Sequence, residues 1–147
     1  MNNDLLLEFK EQLEPFLSST NIIVEKNKIQ FYSTGIRVGN GDASIVLLPS
    51  TLWEFWKAIS ISISFNKIII IQAANTGLTG GSTPFGYDYD REVVIINTML
   101  IDQLIILNKG DQIIAFPGTT LYQLEEKLLP LSRGPHSVIG SSCIGAS

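Results

Sequence analysis

Ile68-Ile69-Ile70-Ile71-Gln72-Ala73-Ala74-Asn75-Thr76-Gly77-Leu78-Thr79-Gly80-Gly81-Ser82-Thr83-Pro84 is the stretch on which the fold turns. It starts as an unbroken apolar run of strand length and changes abruptly to Gly, Thr, Ser and Asn. A continuous apolar run of this length suits a strand covered on both faces. The change in composition marks the strand's carboxyl end and the start of a long loop. In open sheets of parallel strands, ligands collect at that edge.

Upstream, Ser44 to Leu48 reads as a second buried strand, led in by the turn residues Gly39-Asn40-Gly41-Asp42. Between the two runs lies a helix. Ser50 or Thr51 is placed to cap it, with Glu54 at capping-box spacing from Thr51. Leu52, Phe55, Trp56, Ile59 and Ile63 recur on one helical face, and Asn66-Lys67 interrupts the pattern. This β-α-β order predicts parallel pairing of the two strands through a right-handed crossover. Nearer the amino terminus, Asn2 to Leu17 has helical spacing at Leu5, Leu6, Phe9, Leu13 and Phe16, and Glu25 to Tyr32 reads as a short helix stopped by Gly35.

Downstream of the loop, apolar residues return at Val93 to Ile96. Leu104 to Leu107 and Gln112 to Phe116 flank Asn108-Lys109-Gly110-Asp111, which predicts an antiparallel hairpin. Pro117-Gly118-Thr119 then starts a helix with Leu121, Leu124, Leu128 and Leu129 on its face, closed by Pro130, and the tail from Leu131 to Ser147 is loop-like. The fold class is α+β, a sandwich with a β-α-β parallel sheet core.

Bulk properties exclude several functions. A chain of 147 residues, 45% hydrophobic and only 16% charged, holds one folded domain and argues against disorder. With a net charge of -4 and no basic run, a nucleic-acid surface is set aside. The amino terminus lacks a positive n-region, so no signal peptide is expected, and Ile68 to Ile71 is far too short to span a bilayer. A single cysteine, Cys143, excludes an internal disulfide and fits a cytosolic chain, and a single histidine, His136, leaves no zinc-site spacing.

The loop from Ala73 to Pro84 carries the chemistry. Gly77, Gly80 and Gly81 permit positive φ and leave N–H groups uncovered, so the segment can form an anion-holding concavity. Asn75, Thr76, Ser82 and Thr83 add short polar side chains. No Lys or Arg is present, so peptide dipoles would meet any phosphate charge. Neither the Walker pattern nor the Gly-x-Gly-x-x-Gly fingerprint occurs. Composition alone leaves a pyrophosphate cradle and a plain surface loop both open.

Several blocks in order resemble the FAD-dependent, quinone-linked respiratory D-lactate dehydrogenases of bacteria. They are Ala73 to Thr79, Gly81 to Pro84, Asp88 to Arg91, Pro117 to Tyr122 and Pro135 to Ser147. The broader family shares the flavin fold of vanillyl-alcohol oxidase and para-cresol methylhydroxylase. The resemblance implies a first FAD-binding subdomain plus the start of the second, with residues 1–36 as an N-terminal helical segment and 37–147 as a partial FAD-binding domain truncated at its C-terminal end. It carries FAD contacts onto Ala73, Ala74, Asn75, Thr76, Gly77, Gly81, Ser82, Gly140 and Ser147. Gly80 and Gly134 stand where close relatives are expected to have acidic residues. Ser82 occupies the place of the histidine that often links flavin covalently in this fold, which implies noncovalent FAD.

By the same resemblance, the full-length enzyme oxidises D-lactate to pyruvate, passing hydride to flavin N5 and electrons to membrane quinone. It is expected to sit peripherally on the cytoplasmic face of the inner membrane through regions absent here. The 147-residue chain is expected to be inactive alone, with the catalytic residues outside it. A noncatalytic truncated or stand-alone nucleotide-binding module and a flavin oxidase of another 2-hydroxy acid are the alternatives. His136 reads as a structural or hydrogen-bonding residue ahead of a base, and Cys143 as a packed small residue ahead of a redox thiol. Trp53 and Trp56 read as core ahead of membrane anchors, and Arg91 as a surface charge ahead of a phosphate ligand.

Overall fold

The computed structural model describes residues 3–134. The expectations for His136, Gly140, Cys143 and Ser147 lie outside the described residues. The elements used below are α1 (Asn3–Leu13), β1 (Ile22–Ile23), α2 (Lys26–Ser33), β2 (Ile45–Leu47), α3 (Leu52–Ser64), β3 (Ile68–Gln72), β4 (Val93–Asn97), β5 (Leu104–Leu107), β6 (Gln112–Ala115) and α4 (Leu121–Leu128).

The architecture is α+β, as the sequence implies. One four-stranded sheet has the order β1-β2-β4-β3, and β5 and β6 form a separate antiparallel pair. β2 and β3 are parallel, but they do not pair with each other. β4 lies between them and is parallel to both, with Val46 and Ile70 both opposite Ile95. The β-α-β reading is corrected accordingly: the crossover through α3 skips one strand position, which a later strand of the same apolar character fills. β1, only two residues long, adds antiparallel to β2.

Alternation across β2 and β4 divides the core in two. Ile45, Leu47, Val94 and Ile96 pack with Phe9 and Leu13 of α1, with Leu17 beyond it, and with Ala58 of α3. On the opposite face, Val46, Val93 and Ile95 pack with Ile29 of α2 and with Ala43. Helices therefore cover both faces, and all five residues of β4 are buried. β3, expected to be buried, is instead an edge strand whose Ile71 is 53% exposed. Lys67, directly before β3, is ion-paired with Glu92, directly before β4, and Ile68 N–H donates to Glu92 O at 2.9 Å. The Lys67 ammonium also lies 5.4 Å from the centre of the Phe9 ring.

The start of α3 matches its sequence signature. Thr51 Oγ1 accepts from Glu54 N–H at 3.1 Å, and the Glu54 carboxylate accepts from Ser50 N–H and Ser50 Oγ. Its buried face differs from the expected one. Ala58 and Ser62 are fully buried, flanked by Phe55, Ile59 and Phe65, whereas Trp53, Trp56 and Ile63 are 60%, 52% and 65% exposed. The small side chains let the helix approach the sheet closely, and the indoles point away from it. The Lys57 ammonium lies 4.7 Å and 5.0 Å from the Trp56 and Trp53 rings. Core packing by the two tryptophans is therefore overturned. Among the described residues, no helix is long and apolar enough to cross a membrane.

The other helices shift slightly from expectation. α1 ends at Leu13, two residues before Pro15, and α4 begins at Leu121, after Thr120 and Gln123 form a reciprocal capping box. Pro117-Gly118-Thr119 is instead a turn packed on the exit of β4, where a Cβ on Gly118 would lie 2.4 Å from Thr98 O. Pro130 does not end the chain's helical course, because Leu129–Leu131 forms one further 3-10 turn.

Central and edge strands should respond differently to the same truncation. Ile95→Ala is expected to cost about 2–5 kcal/mol, as a buried cavity does. Ile71→Ala is expected to cost under about 1 kcal/mol. Urea denaturation of both variants checks this, and equal losses would contradict the placement of β4 at the centre.

Candidate functional site

β2, β4 and β3 run parallel, so their carboxyl ends share one sheet edge. The loop from Ala73 to Pro84 leaves that edge directly from β3. Beside it, the connection from α2 to β2 folds back on itself: Thr34 bridges to Asn40, and Gly35 N–H donates to Gly39 O at 2.8 Å.

The two segments meet backbone to backbone. Gly39, at φ +99, lies so near the loop that a Cβ there would be 1.9 Å from Thr83 Oγ1. Gly80, at φ +73, faces Val38 O, which is 3.3 Å from its Cβ position. Asn75 adopts the left-handed conformation at φ 57. Its Nδ2 donates to Thr34 O at 3.0 Å, and its Oδ1 accepts from Ser82 Oγ at 2.8 Å. Asparagine tolerates this φ because its short polar side chain bonds locally.

A second set of bonds lies beneath the loop. Gln72 Nε2 donates to Tyr32 O and to Ser82 O, each at 2.8 Å. Asn97 Nδ2 donates to Gln72 Oε1 and Ala73 O, each at 3.0 Å. A cavity of about 550 Å³ opens here, with Tyr32, Gln72, Ala73, Asn75, Thr76 and Asn97 among its lining residues.

The three glycines of the loop differ from one another in conformation. Of Gly77, Gly80 and Gly81, only Gly80 takes positive φ. Gly77 and Gly81 serve another purpose: a Cβ on either would meet no atom closer than 4.0 Å and 3.9 Å respectively. Among the described residues, the space above them is open. The N–H groups of Thr76, Gly77 and Gly81 have no acceptor among the described residues. An uncovered run of donors beside unfilled space fits an anionic group approaching the backbone.

The site residues expected from sequence divide accordingly. Ala73, Ala74, Asn75 and Thr76 line the cavity, while Gly77, Gly81 and Ser82 continue along the loop. Arg91 lies two residues before β4, at the opposite sheet edge, where it donates to Asp90 and Asn66. That position suits a surface charge. Sequence reasoning missed Asn97, Tyr32, Thr34 and Gly39 as contributors to the site. The available signal was a polar amide ending each of two apolar runs, at Gln72 and Asn97.

No family model matches the chain. Solved structures share its fold over most of the chain. p-Cresol methylhydroxylase aligns with a TM-score of 0.71 over 90% of this chain and 26% of that one, at 16% identity. The 4-ethylphenol oxidase of Gulosibacter chungangensis aligns with a TM-score of 0.72 over 88% of this chain and 25% of its own, also at 16% identity.

In sequence, the chain is homologous to quinone-dependent D-lactate dehydrogenases. It is 52% identical over 139 residues to that of Escherichia coli strain K12, covering 95% of this chain and 24% of the relative. It is 44% identical over 127 residues to that of Corynebacterium glutamicum, covering 86% and 22%. The chain thus spans about a quarter of the length of the curated relatives it matches.

The geometry separates two adjacent glycines. Gly80→Ala is expected to destabilise the chain by about 1–2 kcal/mol, because it forces a side chain into the left-handed region against Val38 O. Gly81→Ala is expected to change stability by less than about 0.5 kcal/mol. Urea denaturation without ligand measures both, and a Gly81→Ala loss as large as that of Gly80→Ala would refute the open space above Gly81.

Proposed function

We propose that this chain forms the pyrophosphate-holding part of an FAD-dependent D-lactate dehydrogenase that delivers electrons to quinone. The observation that carries the reading is the loop from Ala73 to Ser82. It is fixed at the carboxyl edge of a parallel sheet, and among the described residues the N–H groups of Thr76, Gly77 and Gly81 have no acceptor and the space above Gly77 and Gly81 is open. Homology to quinone-dependent D-lactate dehydrogenases over this same region supports the choice of reaction.

When bound, FAD supplies the hydride acceptor for oxidation of D-lactate to pyruvate. The residues of this chain bind and orient. Ala73, Ala74, Asn75, Thr76, Gly77, Gly81 and Ser82 hold the phosphates through peptide dipoles, with Gly140 and Ser147 contributing from a second loop. No cation lies within the first loop, so its donors must be fixed in advance to be effective. Ser82 is engaged with Asn75 and offers no imidazole for a covalent link, which supports a dissociable flavin.

Residues 37–147 are the partial flavin domain in this reading, and 1–36 its helical lead-in. Groups that recognise lactate and quinone belong to the three quarters of the relatives' length that this chain does not span. The membrane association and cytoplasmic-face location of the whole enzyme belong there too.

Flavin fluorescence titration of the 147-residue chain tests the proposal. Weak, reversible FAD binding is expected. Gly77→Val and Gly81→Val should each weaken it, because branched side chains would fill the open space and hold phosphates away from the N–H groups. Cys143→Ala should leave it nearly unchanged. Absence of FAD binding by the unmodified chain would sink the cofactor assignment, and flavin loss confined to Cys143→Ala would move the functional weight from the loop to the thiol.

A further inference from the structure

Gln72 and Asn97 face each other in register as the last residues of β3 and β4, and both are buried. Each side-chain amide has two N–H donors and one carbonyl acceptor. The two donors of Gln72 go to Tyr32 O and Ser82 O, and its acceptor takes Asn97 Nδ2. The donors of Asn97 go to Gln72 Oε1 and Ala73 O, and its acceptor takes Met99 N–H at 3.0 Å. All six groups are engaged.

The partners are spread over the site. Tyr32 belongs to α2, Ala73 begins the loop, Ser82 lies near its end, and Met99 follows β4. Tyr32, Gln72, Ala73, Asn97 and Met99 also line the cavity. One neutral amide pair therefore joins both ends of the loop to the cavity floor, while the N–H groups of Thr76, Gly77 and Gly81 have no acceptor among the described residues.

We propose that Gln72 is a positioning residue for the flavin site, holding the Ala73 to Ser82 loop in its phosphate-binding shape before any cofactor arrives. The inference rests on the FAD reading above and assigns the work to Gln72's two donors, not to the volume of its side chain. Neutrality suits the place. A carboxylate at position 72 would face the carbonyl oxygens of Tyr32 and Ser82 with no proton to give them, and burying it would add a desolvation cost. A preformed loop binds more tightly because its ordering is already complete.

Gln72→Met keeps nearly the same volume and removes both donors. In the 147-residue chain it is expected to weaken FAD binding by about tenfold, the equivalent of one charge-free bond network lost. Hydrogen exchange in the ligand-free variant should rise across residues 73–83 and stay slow in β4. Asn97→Ser leaves Gln72's own donors in place and should weaken FAD binding by a smaller factor.

FAD affinity of Gln72→Met within about twofold of the unmodified chain would overturn the assignment. So would loop exchange unchanged from the unmodified chain, which would mark a packing role only. If Gln72→Met loses β4 protection as well, Gln72→Glu, of nearly the same shape but without either donor, decides, and FAD affinity there within about twofold of the unmodified chain overturns the proposal. Failure of the unmodified chain to bind FAD is a separate result, which removes the cofactor reading itself.

Discussion

The four-stranded sheet and the helices packed on it are arranged around β4. Its five residues have a parallel strand on each side and helices above and below, so every backbone and side-chain group must find its partner within the protein. Val94 and Ile96 fasten it to α1 and α3, and Val93 and Ile95 to the layer that contains α2. Its two ends are where polar groups first become possible. At one, Glu92 meets Lys67; at the other, Asn97 meets Gln72. The carboxyl edge of the sheet is thus the place where the central strand leaves its apolar surroundings.

That edge uses neutral groups throughout. Amides, hydroxyls and peptide groups hold the loop, and left-handed backbone at Asn75 and Gly80 turns it back on itself. Such a site presents partial positive charge through oriented N–H groups without first having to desolvate an ammonium or guanidinium. Its strength lies in geometry, which explains why the stiffening contacts outnumber the groups left free for a ligand.

Much of this was legible in the sequence because it depends on local chemistry. The cap of α3, the β5–β6 hairpin and the limits of β3 follow from residue type and spacing over a few positions. Strand order did not, since Ser44 to Leu48, Ile68 to Ile71 and Val93 to Ile96 are all apolar runs, and nothing in their composition says which becomes central. β1 is too short to show a period. α3 carries Leu52, Trp53, Phe55, Trp56, Ile59, Ile61 and Ile63 around most of its circumference, so periodicity could not choose the buried face. Ala58 and Ser62, the least conspicuous residues, decided it through close approach. The glycine φ values were equally hidden, because Gly77, Gly80 and Gly81 are identical as letters and differ only in what lies beside them.

The central position of β4 has a consequence for how the chain is made. Gln72 and Asn97 are 25 positions apart, and a ribosome adding about 5–20 residues per second needs roughly 1–5 s to cross that interval. During it, β2 and β3 have been synthesised but have no strand between them, and their isoleucines face water. The nascent chain passes through a stage in which α3 can form but the sheet beneath it cannot. Chaperone engagement should therefore peak while the Ala73 to Pro84 loop is emerging, and end when β4 inserts.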